Sequence, residues 1–196
     1  MTEEPLNPLE SLQLIDAMIN KAKNRFSENG HMYLVWGWVI LFCSVGHFLL
    51  QNVFKVEKFY LVWLLTWAAL LYQFVYLRNK KRRQPVVTYT DHIIKYVWLT
   101  FIIMMVLLII VVTRFSEHPH NTDAMFLVLY GMPTFLSGVI LKFPALIRGG
   151  IFCWLLSVVS LFIPFEYHML FISAAVIAAW IVPGYLLQRH YNKVNN

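Results

Sequence analysis

The chain has 196 residues, of which 59% are hydrophobic and only 13% charged, and its mean hydropathy is +0.61. This composition argues against a soluble domain and indicates one compact helical membrane domain. The net charge of +6 requires no nucleic-acid partner, because the inner loops of membrane proteins are basic as a rule. Cys43 and Cys153 lie inside apolar stretches without a CxxC pair, which argues against a disulfide framework and against redox chemistry.

Residues 1–31 form a polar segment that we expect in the cytoplasm or at the membrane surface. The run Asn7-Pro-Leu-Glu10 is a helix start signal, with a capping side chain and a proline in the first turn. After it, apolar residues recur at helical spacing and form one stripe: Leu12, Ile15, Ile19, Ala22 and Phe26. The pattern predicts an amphipathic helix over residues 8–26. Its stripe can lie in the inner interface, pack against the bundle or bind a partner protein.

Six apolar stretches follow within residues 32–188, and each has the length that a helix needs to cross a bilayer. Because lipid offers no hydrogen bonds to the backbone, these stretches predict helices. The fold class is therefore an all-α integral membrane protein, a six-transmembrane-helix bundle preceded by the amphipathic helix. The predicted spans are Tyr33–Leu50, Phe59–Leu77, Tyr96–Thr113, Ala124–Leu141, Ile147–Ile163 and Met169–Leu187.

Basic residues favour one side of these spans. Thirteen of the 16 Lys and Arg residues fall in the N-terminal segment, in the loops after spans 2 and 4, or in the tail over residues 189–196. Because cytoplasmic loops collect Lys and Arg, this bias predicts that both termini lie in the cytoplasm. The run Arg78-Asn-Lys-Lys-Arg-Arg83 chiefly fixes the topology. It also suits anionic lipid headgroups at the inner face.

Span 4 has the least regular sequence and carries the hypothesis of a ligand site. Pro133 removes a hydrogen bond of the helix, and small or polar residues surround it. Ordinary helix packing explains the same residues. If a ligand enters, we expect a groove beside Gly131–Gly138, with tryptophan walls and basic residues at its inner end. The candidate ligand-binding residues are Gly131, Pro133, Thr134, Ser137, Gly138, Lys142, Arg148, Trp67 and Trp180.

A second cluster of polar residues is expected in the outer loops that follow spans 3 and 5. Imidazole and carboxylate groups suit a transition metal such as zinc, although polar residues are normal in loops and no spacing here is diagnostic. The candidate metal ligands are His47, Glu117, His118, His120, Asp123 and His168.

Four runs of residues carry a resemblance to a known group of proteins. They are Val35-Trp-Gly-Trp38 after the amphipathic segment, Pro133-Thr-Phe-Leu-Ser-Gly138 with Leu141-Lys-Phe143, and Trp180-Ile-Val-Pro-Gly-Tyr185. The chain resembles uncharacterised small bacterial inner-membrane proteins over most of its length. The resemblance implies a six-span protein of the bacterial plasma membrane and implies no activity, cofactor or site residues.

Three classes of function remain open on the sequence. A non-enzymatic sensing, scaffolding or regulatory module is favoured. A transporter or binding subunit would use spans 2, 4 and 6 for a small, weakly charged or lipidic molecule. A membrane enzyme would use the outer His/acid cluster and ranks last. The sequence indicates no cofactor for any of the three.

Overall fold

The structure is a computed structural model that describes Leu9 and residues 11–13, 30–83, 89–115 and 122–195. Every regular element within these ranges is helical, so the prediction of an all-helical chain is confirmed. The amphipathic helix predicted over residues 8–26 lies almost wholly outside the described residues and stays a prediction.

Seven α-helices account for most of the described chain, and short π or 3-10 turns extend three of the predicted spans. Helix α1 continues into a π-turn at Leu49–Val53, a 3-10 turn at Phe59–Leu64 leads into α2, and a π-turn at Ile177–Ile181 joins α6 to α7. The helices are α1 (Gly30–Phe48), α2 (Leu65–Arg83), α3 (Tyr89–Phe115), α4 (Thr122–Ile140), α5 (Pro144–Ser160), α6 (His168–Val176) and α7 (Val182–Asn195).

Five helical segments are long and apolar enough to cross a membrane, as expected of a multi-pass membrane protein. They are Gly30–Val53, Phe59–Asn79, His92–Arg114, Thr122–Ile140 and Phe165–His190. The fifth predicted span corresponds to α5, an apolar helix of 17 residues. It begins three residues before the predicted Ile147, because Pro144 occupies the first helical turn, where a missing N–H costs nothing.

Helices α1, α4, α5 and the joined α6–α7 pack into a four-helix core. Helices α4 and α5 form an antiparallel hairpin whose turn places Lys142 at a positive φ of 53°. The Phe143 amide then donates a hydrogen bond to the Gly138 carbonyl at 2.9 Å and ends α4. On the other side of α5, Gly149 packs against the backbone of Ala178 and Ala179, a close helix contact that small residues allow.

Helices α2 and α3 lie at the periphery of this core. Among the 18 most apolar consecutive residues of each segment, 6% are buried in Phe59–Asn79 and 0% in His92–Arg114. The corresponding shares are 50% for Thr122–Ile140 and 56% for Phe165–His190. Helix α2 packs along α1 and helix α3 along α4, so these two consecutive helices attach to different parts of the core.

Candidate functional site

Two irregular helix segments meet in the middle of the core. One is the turn of α4 that contains Pro133, and the other is the π-turn Ile177–Ile181. Trp180, on that π-turn, is only 3% exposed and donates its indole N–H to Thr134 Oγ1 at 3.0 Å. The Thr134 hydroxyl donates in turn to the Tyr130 carbonyl at 2.8 Å. The indole therefore has the acceptor that a buried Trp requires, and the bond fixes α4 to the last span.

Aromatic rings from four elements surround this hydrogen bond. The Trp180 ring centroid lies 5.2 Å from that of Tyr130 and 6.1 Å from that of Trp98. Trp98 also packs against Tyr33 at 5.6 Å, and Tyr130 against Phe101 at 6.0 Å. These separations and tilted orientations are those that aromatic pairs prefer. We call the five residues Tyr33, Phe101, Tyr130, Trp98 and Trp180 the aromatic cluster.

Two polar atoms in or beside the cluster have no hydrogen bond. Tyr33 is 6% exposed and Ser137 is fully buried, and neither the Tyr33 hydroxyl nor Ser137 Oγ has a hydrogen-bond partner. Ser137 and Trp98 lie within interaction range of the Tyr33 hydroxyl, but neither contact has hydrogen-bond geometry. Unpartnered buried hydroxyls are unusual, so these two are the least satisfied polar groups at the cluster.

The groove expected beside Gly131–Gly138 if a ligand enters is absent, so that conditional expectation is wrong. A methyl group added at Gly131 would lie 2.4 Å from Trp154 Nε1, and one at Gly138 would lie 2.6 Å from the Ile147 amide nitrogen. Helix α5 therefore fills the space that the glycines leave. Small residues allow close helix contact as readily as they allow ligand entry, and here they allow the contact.

The other candidate ligand-binding residues divide between the core and the surface. Thr134, Ser137 and Trp180 come together in or beside the aromatic cluster, and Pro133 is buried next to them. Trp67 is 67% exposed on α2 and forms no wall of a buried site. Lys142 and Arg148 are exposed at the α4–α5 turn, where Arg148 Nε donates to the Pro144 carbonyl at 3.3 Å.

Two of the six candidate metal ligands form a buried pair. Asp123 and His168 were expected in loops, but they lie in the first turns of α4 and α6 and are only 6% and 2% exposed. His168 Nδ1 lies 3.5 Å from Asp123 Oδ2, and its Nε2 donates to the Ile163 carbonyl at 3.1 Å. The first turns of α4 and α6 therefore supply one residue each to this buried pair, which we call the Asp–His pair.

The remaining candidate ligands do not join this pair. His47 Nδ1 accepts a hydrogen bond from Trp63 Nε1 at 3.0 Å, and its Nε2 pairs with Gln51 Oε1 at 3.0 Å. Both of its ring nitrogens are thus occupied. Glu117, His118 and His120 lie outside the described residues. Within the part of the chain that the structure describes, no three His, Cys, Asp or Glu side chains gather as metal ligands.

Polar contacts between helices were largely missed from the sequence. Ser44 of α1 and Ser173 of α6 share a buried hydrogen bond of 2.7 Å, and Ser157 of α5 donates to the Ala124 carbonyl of α4 at 2.8 Å. Tyr33, the first residue of the first predicted span, belongs to the aromatic cluster. The available signal was the presence of isolated serines in apolar stretches, which are frequent at helix interfaces in membranes.

Comparisons of the chain with protein-family models, with curated proteins and with solved structures find no match.

Proposed function

We propose that the protein is a non-enzymatic membrane module that scaffolds or regulates other membrane proteins through α2 and α3. The observation that carries the proposal is the unequal burial of the spans. The most apolar stretches of His92–Arg114 and Phe59–Asn79 are 0% and 6% buried, whereas those of Thr122–Ile140 and Phe165–His190 are 50% and 56% buried. The buried core holds the fold, and the two peripheral helices leave most of their apolar surface available to lipid or to neighbouring proteins.

The exposed face of α2 has the composition of a contact surface. Trp67, Leu71 and Phe74 follow one another at helical spacing and are 67%, 70% and 68% exposed. Helices associate in lipid through side-chain packing, and large aromatic residues dominate the binding energy of protein interfaces. We call these three residues the α2 face. A transmembrane helix of a partner protein is the occupant we propose for it.

The proposal includes six spans, with α5 as the fifth. Helix α5 lies along the whole of α4. Ser157 bonds to the Ala124 carbonyl near one end of the hairpin, and Ile147 touches Gly138 near the other. At 17 residues α5 is about 25 Å long, close to the hydrocarbon thickness of about 30 Å. The bias of Lys and Arg then supports cytoplasmic termini, and the resemblance of the chain supports the plasma membrane of a bacterium.

The inner surface supports contacts with anionic lipid headgroups as part of the same proposal. A surface depression on α7 is lined by side chains that can donate hydrogen bonds, two of which are positively charged. They are Tyr185, Gln188, Arg189, Asn192 and Lys193. Basic residues near such a surface attract anionic lipid by about 1 kcal/mol each. The stripe of residues 8–26 is a second surface that we propose for a protein partner.

Site-specific photo-crosslinking in native membranes tests this function. A photoreactive amino acid at position 71 should give one reproducible adduct with a protein, which mass spectrometry then identifies. Position 155 on α5 is the matched control, because Leu155 is also an exposed leucine, at 59%, and belongs to the core bundle. We expect lipid adducts alone at position 155. Lipid adducts alone at both positions would refute a scaffolding role for α2.

A ligand-binding subunit is the second candidate, and the unpartnered hydroxyls of Tyr33 and Ser137 favour it. A small, weakly charged molecule with one hydrogen-bonding group fits that end of the aromatic cluster. Extraction of the protein from native membrane, followed by mass spectrometry of released small molecules, tests this role. A compound that is retained by wild type and lost from Tyr33→Phe would support it, and equal retention by both would contradict it.

An enzyme that uses the Asp–His pair receives no such support. A general base must present a free ring nitrogen to the proton that it removes. In His168, Nδ1 faces Asp123 and Nε2 is bonded to the Ile163 carbonyl.

A further inference from the structure

Helices α1 and α7 run in opposite directions and touch along a line that we call the α1–α7 seam. A methyl group added at Gly37 would lie 2.7 Å from Ile181 Cγ1, just before α7. One added at Gly30 would lie 3.1 Å from Leu187 Cβ. Gly30 begins and His190 ends a segment that is long and apolar enough to cross a membrane. The second half of α7 therefore lies at the membrane boundary.

The outward face of α7 at this boundary is polar and positively charged. Five side chains at helical spacing line its depression, and each can donate a hydrogen bond: Tyr185, Gln188, Arg189, Asn192 and Lys193. The sequence of α7 contains no acidic residue. Among the residues that the structure describes, neither Arg189 nor Lys193 pairs with an acidic side chain. The two positive charges are thus available to an anion from outside the protein.

The membrane side of the same seam is aromatic. Trp38 Nε1 of α1 donates a hydrogen bond to the Tyr185 hydroxyl at 3.4 Å, and that hydroxyl still has a hydrogen to donate. The Trp38 ring stacks on Phe42, with centroids 5.7 Å apart and planes at 29°. These two side chains are 39% and 60% exposed. At 1.5 Å per residue they lie about 12 Å and about 18 Å inside the start of α1, at the depth of acyl chains.

The order of these groups matches that of one lipid molecule. From the boundary inwards, the seam presents two cations, then a phenol with an indole, and then exposed aromatic rings. A phospholipid presents a phosphate, then ester oxygens, and then acyl chains. We propose that the α1–α7 seam binds one anionic phospholipid, with its headgroup at Arg189 and Lys193 and an acyl chain along Trp38 and Phe42. Basic pockets between membrane helices are typical sites for such headgroups.

This inference rests on the anionic-lipid contact in the proposed function and gives that contact a location and a stoichiometry. It does not depend on a protein partner of α2. Absence of a protein adduct at position 71 would refute the scaffolding role and leave the lipid site standing. Absence of a lipid preference would remove the site and leave the α2 contact standing.

Lipid titration of the full-length protein, followed by native mass spectrometry, tests the proposal. The protein is delipidated in detergent and titrated with phosphatidylglycerol, or with phosphatidylcholine that has the same acyl chains but no net charge. We expect one phosphatidylglycerol to bind at least about tenfold more tightly than phosphatidylcholine, because each basic residue near an anionic lipid contributes a factor of about five. Equal affinities for the two lipids would overturn the proposal.

Two double variants locate the bound lipid. Arg189→Gln with Lys193→Gln should bind phosphatidylglycerol at least about tenfold more weakly than wild type, since both cations of the seam are lost. Lys142→Gln with Arg148→Gln is the matched control, because it removes the same two charges from exposed positions at the α4–α5 turn. This control should bind like wild type. Equal losses in both variants, or no loss in the first, would overturn the proposal.

Photo-crosslinking of wild type keeps the proposal testable if a variant does not fold. Phosphatidylglycerol with a photoreactive group in its acyl chain is added at one molecule per protein. The labelled peptide should be the one that contains Trp38 and Phe42. Labels spread evenly over the exposed surface of α3 would show that the lipid has no fixed position and would overturn the assignment.

Discussion

The core helices and the peripheral helices have similarly apolar sequences, but they differ in how much of their apolar surface is buried in the protein. The mean hydropathy of the best stretch is 2.7 in the peripheral His92–Arg114 and only 1.5 in the buried Thr122–Ile140. The buried helix contains Pro133, two glycines and four hydroxyl-bearing residues. In a bilayer, apolar side chains already contact lipid, so they gain little by packing against another helix. Small and polar residues therefore bring helices together. His92–Arg114, the most apolar span, is also the least buried, whereas the equally peripheral Phe59–Asn79 has a mean hydropathy of 1.5, the same as the buried Thr122–Ile140.

The two mid-span tryptophans give the largest expected contrast. Trp180→Ala removes a buried ring and its bond to Thr134, and should destabilise the fold by about 3–5 kcal/mol. Trp67→Ala removes a ring that is 67% exposed and should change stability by less than about 0.5 kcal/mol. Reversible unfolding in mixed micelles measures both. Equal losses for the two variants would show that α2 belongs to the core.

Two glycines give a contrast of intermediate size. In Gly138→Ala the new methyl meets the Ile147 backbone nitrogen at 2.6 Å, which cannot move alone, so we expect a loss of about 1–3 kcal/mol. In Gly46→Ala, on the α1 surface that faces the 3-10 turn before α2, the methyl meets Val62 Cγ1 at 3.2 Å. A side chain yields more easily than backbone, so the loss should be smaller. The same unfolding assay checks the order, and the reverse order would contradict the assignment of core and periphery.

Removing the Tyr33 hydroxyl should raise the stability of the protein, whereas the preceding substitutions lower it. The hydroxyl is buried without a partner, so Tyr33→Phe relieves a desolvation cost and should stabilise the protein by up to about 1 kcal/mol. Tyr72→Phe on α2, whose hydroxyl pairs with His31 Nε2 at 2.9 Å, is the control and should be neutral or slightly destabilising. A destabilised Tyr33→Phe would mean that the hydroxyl is bonded after all.

The smallest effect is expected for the Ser44–Ser173 bond. A double-mutant cycle with Ser44→Ala and Ser173→Ala should give a coupling of about 0.6 kcal/mol, the average for hydrogen bonds between membrane helices. A coupling near zero would assign these serines to packing alone.

The sequence predicted which segments are helical, but it did not predict which helices pack against each other. Runs of apolar residues report how each segment meets lipid, so the helical class and five spans followed from them. Trp67 and Trp180 look alike in the sequence, because both sit near the middle of a span. Contacts with residues distant in sequence, such as the bond to the Thr134 hydroxyl 46 residues away, distinguish the buried one.

The same limit applies to the candidate sites. Gly131 and Gly138 signal that something approaches the backbone closely, and the sequence does not say whether that is a ligand or a helix. Asp123 and His168 were recognised as suitable metal ligands, but their pairing depends on how α4 and α6 start side by side. No spacing along the chain encodes that contact.

Replacing the whole α2 face tests the central contrast between core and periphery most directly. The variant carries Trp67→Ala, Leu71→Ala and Phe74→Ala, all at exposed positions. Its unfolding temperature and the size of its complex extracted from native membranes are compared with those of wild type. We predict an unchanged unfolding temperature and a smaller complex, because the fold rests on the core and the contact on α2. A variant that unfolds more easily, or that keeps a complex of wild-type size, would contradict this account.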